Sequence, residues 1–298
     1  MTKMPTPVRV LDSGGTKAGS TRVVLFGVGG TGGYCLQQLA RLLYGLKAER
    51  SEAWAAPRLT PGGARTQDEP DHVPDVLLVD GDEISEANLR RQYFLAQDVR
   101  KHKALVLSER YGAAYGLKIS AYPKYLEPGT DFAALVPEGS LVVGCVDNAA
   151  TRRLLHERLS SYQDVVYLDA GNAAVELPED GPLDRKEQLR IRNSGWEGQV
   201  LCGVRRRGDT VVPFPAEQIP DLVEDDGELL PSEIPCGQVV VSNPQRALTN
   251  TWAAITLHSY LTDLLTDGTL LHRMTLFCAR RGYAKSYPAL EVMDEVAV

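Results

Sequence analysis

The sequence predicts an α/β fold: a mostly parallel, doubly wound sheet with helices on both faces, continued by antiparallel strands in the C-terminal half. Three observations predict it. A glycine-rich turn, Gly27-Val28-Gly29-Gly30-Thr31-Gly32, directly follows a β-branched run. Short apolar runs then alternate with helical patterns as far as residue 171, and such alternation builds a parallel sheet. Beyond that point the alternation stops and strand patterns follow one another across loops. The layout is Rossmann-like.

Residues 1–20 are rich in Pro, Gly, Ser and Thr and read as a flexible arm. "TRVVLF" (21–26) is a strand. From Gly32, Cys35, Leu36, Leu39, Leu42, Leu43 and Leu46 share one broad face, so a buried helix follows. Residues 47–74 are polar with several Pro and Gly, and read as an inserted loop. "DVLLVD" (75–80) is the second strand, residues 99–117 are mostly helix closed by Gly116, and "KISAYPKYL" holds a third strand. "LVVGCVD" (141–147) is the fourth, with Asp147 and Asn148 capping the helix that follows. "DVVYLDAG" (164–171) is the fifth. After a charged loop comes a strand at 198–204, then a Pro-rich loop over 205–235, a long helix over 243–265 and a late strand over 269–279. The pattern reads as one domain over 21–298, with a nucleotide-binding half (21–175) and a partner-binding half (176–298).

The bulk numbers narrow the function classes. The chain has 298 residues, 43% hydrophobic and 24% charged, as in ordinary globular proteins. A net charge of −7 argues against non-specific nucleic-acid binding. No apolar run approaches the ~20 residues of a membrane helix, and the N-terminus lacks a signal-peptide pattern. Five scattered cysteines without a CxxC pair fit a reduced, cytoplasmic compartment.

The glycine turn sits between a strand and a helix, where backbone can approach a phosphate and the helix N-terminus stabilises its charge. A Walker-type loop needs GK[ST], and here Gly32 is followed by Gly33-Tyr34. A ribose-binding acid is expected about 20 residues on. Asp80 lies 48 positions after Gly32, and setting aside the 28 residues 47–74 leaves 20. A strand-end turn would use the same Asp. Next, "DGDEISEANLRRQYFLAQDVRKHKA" (80–104) brings Asn88, Arg91, Gln92, Lys101 and Lys103. The Arg and Lys among them can neutralise a triphosphate, with two cations beyond those a diphosphate needs, although basic runs usually mark a solvated helix. Asp147 ends a strand, where ligands bind in such sheets, and a carboxylate there can hold Mg²⁺ or cap the next helix.

Taken together, these pieces resemble the ThiF/MoeB-type adenylyltransferases, relatives of the ubiquitin-activating enzymes. Their pattern, GxGGxG, then D-x-D-x-[VI]-x-x-x-N-L-x-R-Q, then Lys, then D-N after a strand, is matched here. The residues are Gly27 to Gly32, Asp80, Asp82, Ile84, Asn88, Leu89, Arg91, Gln92, Lys103 and Asp147-Asn148. The match covers about residues 21–175. "YLDAGN", "GQVLCG", a "PC" loop and the helix carrying Asn250 extend a looser resemblance to stand-alone ThiF proteins of PRTRC plasmid clusters.

The resemblance implies an ATP- and Mg²⁺-dependent enzyme that adenylates the C-terminal carboxylate of a ubiquitin-like or sulfur-carrier protein and releases pyrophosphate. It gathers Gly27, Gly29, Gly30, Gly32, Asp80, Asp82, Asn88, Arg91, Gln92, Lys103, Asp147 and Asn148 around the nucleotide. Asp80 is given the ribose, Asn88, Arg91 and Lys103 the phosphates, and Asp147 the Mg²⁺. It further implies a homodimer, with an arginine of the other copy's N-terminal region at the phosphates. Arg9 and Arg22 are the candidates, and Lys17 a poorer one. A downstream conjugating enzyme would follow if a thioester forms.

Three departures stand out. Arg100 replaces a glycine, Ala87 replaces a serine, and the segment before Lys103 is one residue short, which makes Lys101 its alternative. Without the CxxC pairs of many relatives, and with no HExxH among five histidines, no structural zinc is expected. Cys35, Cys145 and Cys278 read as buried core thiols, and Cys236 in "SEIPCGQ" as the candidate for an exposed, catalytic one. Two other readings share the features: an NAD(P)-binding Rossmann oxidoreductase, in which the NLRRQ segment has no task, and a non-catalytic module that docks a ubiquitin-like tail.

Overall fold

The computed structural model describes residues 5–11, 22–55, 73–178, 184–224, 229–233 and 245–290. Strand β1 is Val8–Arg9 and β2 is Arg22–Phe26; helix α1 is Gly30–Ala55. Then come β3 (Asp75–Val79), α2 (Lys103–Tyr115), β4 (Ile119–Tyr122), α3 (Phe132–Leu135), β5 (Leu141–Gly144), α4 (Ala149–Leu159) and β6 (Val165–Asn172). The C-terminal half adds α5 (Arg185–Asn193), β7 (Glu197–Arg206), β8 (Asp209–Val212), α6 (Pro215–Gln218), α7 (Ala247–Thr266), β9 (Thr269–Leu270), β10 (His272–Cys278) and β11 (Tyr283–Pro288).

The main sheet runs β11-β10-β7-β6-β5-β2-β3-β4, with β8 beside β7. The stretch from β6 to β4 is parallel; β7, β8, β10 and β11 pair antiparallel. The inner strands β2, β3 and β5 are covered on both sides and, past Arg22 and Asp75 at their starts, are apolar and buried; edge strand β4 is partly exposed and carries Ser120, and β6 buries Asp169. Val23 and Leu25 face one core with α1, α2 and α7, whereas Val24 and Phe26 face the other with α3 and α4. β2 lies between β3 and β5, so the chain leaves it in opposite directions and opens a crevice at the carboxyl ends of β2 and β5.

α1 starts unfavourably, with Gly30, Gly32 and Gly33 in its first turn, each about 1 kcal/mol worse than Ala in a helix interior. Leu36, Leu39 and Leu43 are fully buried, at about 2 kcal/mol each, and decide the outcome.

The structure differs from the sequence reading in several places. α1 continues through Lys47–Ala55, so the helix takes nine residues assigned to the insert. Val8 and Arg9 pair with β9, and Val10 and Leu11 are buried, with both N–H groups donating to the Gly268 carbonyl. That part of the expected arm is packed. The charged loop before residue 197 contains α5, capped by Asp184, which accepts from the Glu187 N–H at 2.7 Å. The loop expected over 205–235 holds β8 and α6, and β11 was not anticipated.

Candidate nucleotide site

Three loops meet at the crevice. The glycine loop leaves β2, and Gly27 is positioned between neighbours: its N–H donates to Val79 O at 2.9 Å, while Cys145 N–H donates to Phe26 O at 2.8 Å. Gly27 has φ +81°, and a Cβ there would lie 2.7 Å from Cys145 O, so only glycine fits. Gly32 sits in the first turn of α1, against Gly27 O, and does not line the cavity. Gly29 and Gly30 do line it, and the first N–H groups of α1 face it without intrahelical acceptors. The cavity holds about 1600 Å³ and runs from this loop to the ends of β7 and β10.

Asp80, just past β3, spans two loops. Its Oδ2 accepts from Val28 N–H at 2.7 Å and its Oδ1 from Asp82 N–H at 2.9 Å. Burial raises the Asp80 carboxyl to about 6; Lys103 opposes this and Asp82 adds to it. Asp82 accepts from Lys103 Nζ at 2.6 Å and from the Tyr125 hydroxyl at 2.5 Å. Burial pushes Asp82 upward, but the Lys103 charge and these two donors prevail and hold it below the ordinary carboxylate value. Burial likewise disfavours the Lys103 ammonium, yet Asp80 and Asp82 hold its pKa above the ordinary lysine value. Lys103 is therefore a buried, fully charged cation at the cavity wall.

Backbone pairing puts it there. Ile84 N–H donates to Lys101 O, Arg100 N–H to Ile84 O and Lys103 N–H to Asp82 O, which zips the start of α2 to the segment 82–84. Lys101 is exposed and does not line the cavity, whereas Lys103 does. Arg100 has φ +69°, the left-handed conformation that a glycine would take without strain.

Arg91 and Gln92 line the cavity. Asn88 does not: its Oδ1 accepts from Ser85 N–H at 2.9 Å and closes the turn that carries Arg91. The cap of α4 is Asn148, which accepts from Thr151 N–H at 2.7 Å. Asp147 is not the cap, and its carboxylate lines the cavity, near enough to raise the pKa values of Lys103 and Arg152. A single cavity-facing carboxylate is a ligand Mg²⁺ accepts where phosphate oxygens and water complete its shell. Among the described residues no group of three or more His, Cys, Asp or Glu comes together to hold a metal.

Several site residues carry little local sequence signature. Arg152, on α4, pairs with the fully buried Asp169 at 3.1 Å and donates to Val146 O and Ala170 O, which pins the loop bearing Asp147 to β6. Asn250 of α7 packs on the glycine loop: a Cβ on Gly30 would fall 2.1 Å from its Nδ2. Asn172 Nδ2 donates to Thr31 Oγ1 and Asn250 Oδ1, both at 2.9 Å. Gln92 Oε1 and Asn172 Oδ1 are buried with no hydrogen-bond partner among the described residues, and both residues line the cavity. Unsatisfied polar atoms of this kind fit a site built for a polar ligand.

Cys35 and Cys202 are buried. Cys145 and Cys278 are half-buried and line the cavity, contrary to a purely core role. Burial raises Cys145 well above the ordinary thiol value, so it stays protonated. Cys236 and Lys17 lie outside the described residues. Arg22 donates to Ala134 O and Leu135 O at the amino end of β2, so its guanidinium is engaged within its own chain; Arg9 is exposed. Among the described residues no helix is long and apolar enough to cross a membrane.

Comparison with known proteins bears on the fold and family. Residues 72–201 match the ThiF family. No curated protein matches the chain in sequence. Among solved structures, PaaA superposes with a TM-score of 0.53 at 14% identity, covering 91% of this chain and 64% of its own. E. coli MccB with ATP gives 0.51 at 15%, covering 91% and 65%. E. coli MccB with MccA gives 0.53 at 16%, covering 91% and 64%. The chain thus spans just under two thirds of the length of these structures, and at such identities they speak for the fold. The motifs, the match and the shared architecture lead to one conclusion: residues 72–201 carry the likeness to the ThiF family, on a fold that the chain shares with these structures.

Proposed function

We propose that the protein uses ATP to adenylate the terminal carboxylate of a carrier protein or peptide, releasing pyrophosphate. The observation that carries this reading is Lys103, a buried ammonium held charged by Asp82 on the same cavity as the glycine loop, Arg91 and Asp147. A retained dinucleotide needs no such cation. In the proposed reaction a carboxylate oxygen attacks the α-phosphorus, the bond to the β-phosphate oxygen breaks, and pyrophosphate leaves. No protein nucleophile is required; positioning and charge neutralisation suffice. Asp80 accepts from the ribose, the glycine loop and α1 N-terminus receive phosphate oxygens, and Arg91 and Lys103 offset the charge that builds on the leaving group. Mg²⁺ held by Asp147 would neutralise phosphate charge. ATP bound to MccB on the same fold supports reading this cavity as an ATP site.

The finer reading is that the carrier is ubiquitin-like or sulfur-carrying and ends in Gly, and that the enzyme works as a homodimer in the cytoplasm. Arg9 is then the trans arginine left available. If a thioester follows, Cys236 is the candidate and a conjugating enzyme the acceptor. The likeness to the PRTRC plasmid-cluster proteins points to a short neighbouring reading frame ending in Gly-Gly as the carrier.

The test is pyrophosphate release with ATP, Mg²⁺ and that carrier. Asp147→Ala should lower kcat by about 100-fold or more, in the range seen for lost electrostatic stabilisation. Full activity in Asp147→Ala would remove the metal assignment. Absence of pyrophosphate release, with tight NAD(P) binding, would replace the adenylation reading altogether.

A further inference from the structure

A second charged cluster lies beside the far end of the cavity, which Arg281 lines. Helix α5 reads RKEQLRIRN, with four cations and one acid in nine residues. Its C-terminal carbonyls draw in two more arginines. Arg246 donates to Ser194 O at 2.9 Å, Ile191 O at 3.1 Å and Arg192 O at 3.2 Å, and Arg280 donates to Arg192 O at 3.3 Å and Asn193 Oδ1 at 2.6 Å. Both guanidinium groups lie over the Trp196 ring, Arg246 at 4.0 Å from its centroid and Arg280 at 5.7 Å. Burial lowers the Arg246 pKa, and the Arg280 charge lowers it further, a sign of crowded cations. Arg281, next in sequence, is exposed and lines the cavity mouth together with Tyr283 and Leu276.

Part of this cluster is neutralised locally, since Arg190 of α5 pairs with Glu176 at 2.7 Å. Among the described residues none of Arg192, Arg246, Arg280 and Arg281 pairs with a carboxylate. The chain as a whole carries −7, so the cations gather here against the average charge. Nor does the nucleotide account for them. β10, which leads into Arg280 and Arg281, stands four strand positions from β2, about 19 Å at ~4.8 Å per strand. That is beyond a triphosphate seated on the glycine loop. It equals about six residues of extended polypeptide at ~3.3 Å each.

We propose that the arginines around Trp196 and at the cavity mouth form a docking surface for an acidic polypeptide tail, whose carboxylate side chains lie about six residues before the terminus that enters the cavity. Placing the terminus at the nucleotide rests on the adenylation reading; the acidic preference of the surface does not. Exposed Leu276 and Tyr283 give the tail an apolar floor, while the arginine guanidinium groups give planar, bidentate carboxylate partners.

The test uses the full chain and three short, fluorescein-labelled peptides ending in Gly-Gly. They carry Glu, Gln or Lys about six residues from the end. By anisotropy, the Glu peptide should bind about tenfold more tightly than the Gln peptide, with the difference shrinking as salt is raised. Arg281→Glu and Arg192→Glu, singly, should each erase most of that difference and improve binding of the Lys peptide; retained adenosine binding reports an intact fold. Equal affinity for all three peptides overturns the proposal. So does an acidic preference that survives both variants, or displacement of the Glu peptide by single-stranded DNA at equal charge. Pyrophosphate release indifferent to tail charge overturns the docking surface and leaves the adenylation reading in place. Charge-dependent binding without any pyrophosphate release does the reverse.

Discussion

Asp80 shows how one residue's surroundings set its task. It accepts from two backbone N–H groups, which favour the carboxylate, yet burial is the larger influence and its pKa rises to about 6. If the ionised form is the ribose acceptor, binding must weaken once pH falls below that value. Adenosine is the suitable probe because its own groups do not titrate between pH 5 and 8. Its affinity should be flat above pH 7 and fall about tenfold between pH 7 and 5; a flat profile throughout would detach Asp80 from the ribose. Asp80 was legible in the sequence because a strand-end acid at a defined distance from a glycine loop is a local pattern. The choice between Lys101 and Lys103 was not, since it depends on the cross-chain hydrogen bonds that fix the start of α2. Asn88 fits the motif, but its side chain serves the turn beneath Arg91.

The elements follow the same logic. α4 begins where Asn148 caps it, which leaves Asp147 facing the cavity. Asn148→Ala should cost about 1 kcal/mol of stability, read from urea unfolding, and should also loosen nucleotide binding by unfixing the neighbouring Asp147. An unchanged midpoint would show that the cap is silent. At the start of α2, Arg100 occupies a left-handed position. Arg100→Gly should stabilise by about 1 kcal/mol, raising Tm by about 2–3 °C; a lower Tm would mean that the arginine side chain contributes more than the backbone strain costs. α1 and α5 explain what the sequence hid. Residues 47–55 lack an apolar stripe, so periodicity ends there, but Lys, Ala, Glu and Arg have good helix propensity and extend the preceding helix. α5 is polar on nearly every side, and only the Asp184-to-Glu187 spacing betrays its cap. The inner parallel strands β2, β3 and β5, buried on both faces, were plain.

Across the whole molecule, the two halves meet at the glycine loop. α7 packs along α1, and Asn250 touches Gly30, Thr31 and Asn172. None of this has a local signature; a buried Asn in a helical pattern says only that some partner exists. Nucleotide binding to the loop should therefore stiffen α7 as well as α1. Hydrogen exchange should slow on adding ATP and Mg²⁺ in the first turns of both helices, including residues 247–254. Protection confined to residues 27–36 would show that Asn250 is a spectator.

The Thr31–Asn250 contact joins positions 219 residues apart. During synthesis the first five parallel strands leave the ribosome long before α7 exists, so the growing chain has a sheet but no finished nucleotide seat. Asn172 and Thr31 wait for Asn250, which is made late. On the adenylation reading, the ATP seat is finished only once the late helix has packed on the loop, and a chain truncated before residue 247 should neither bind ATP nor spend it.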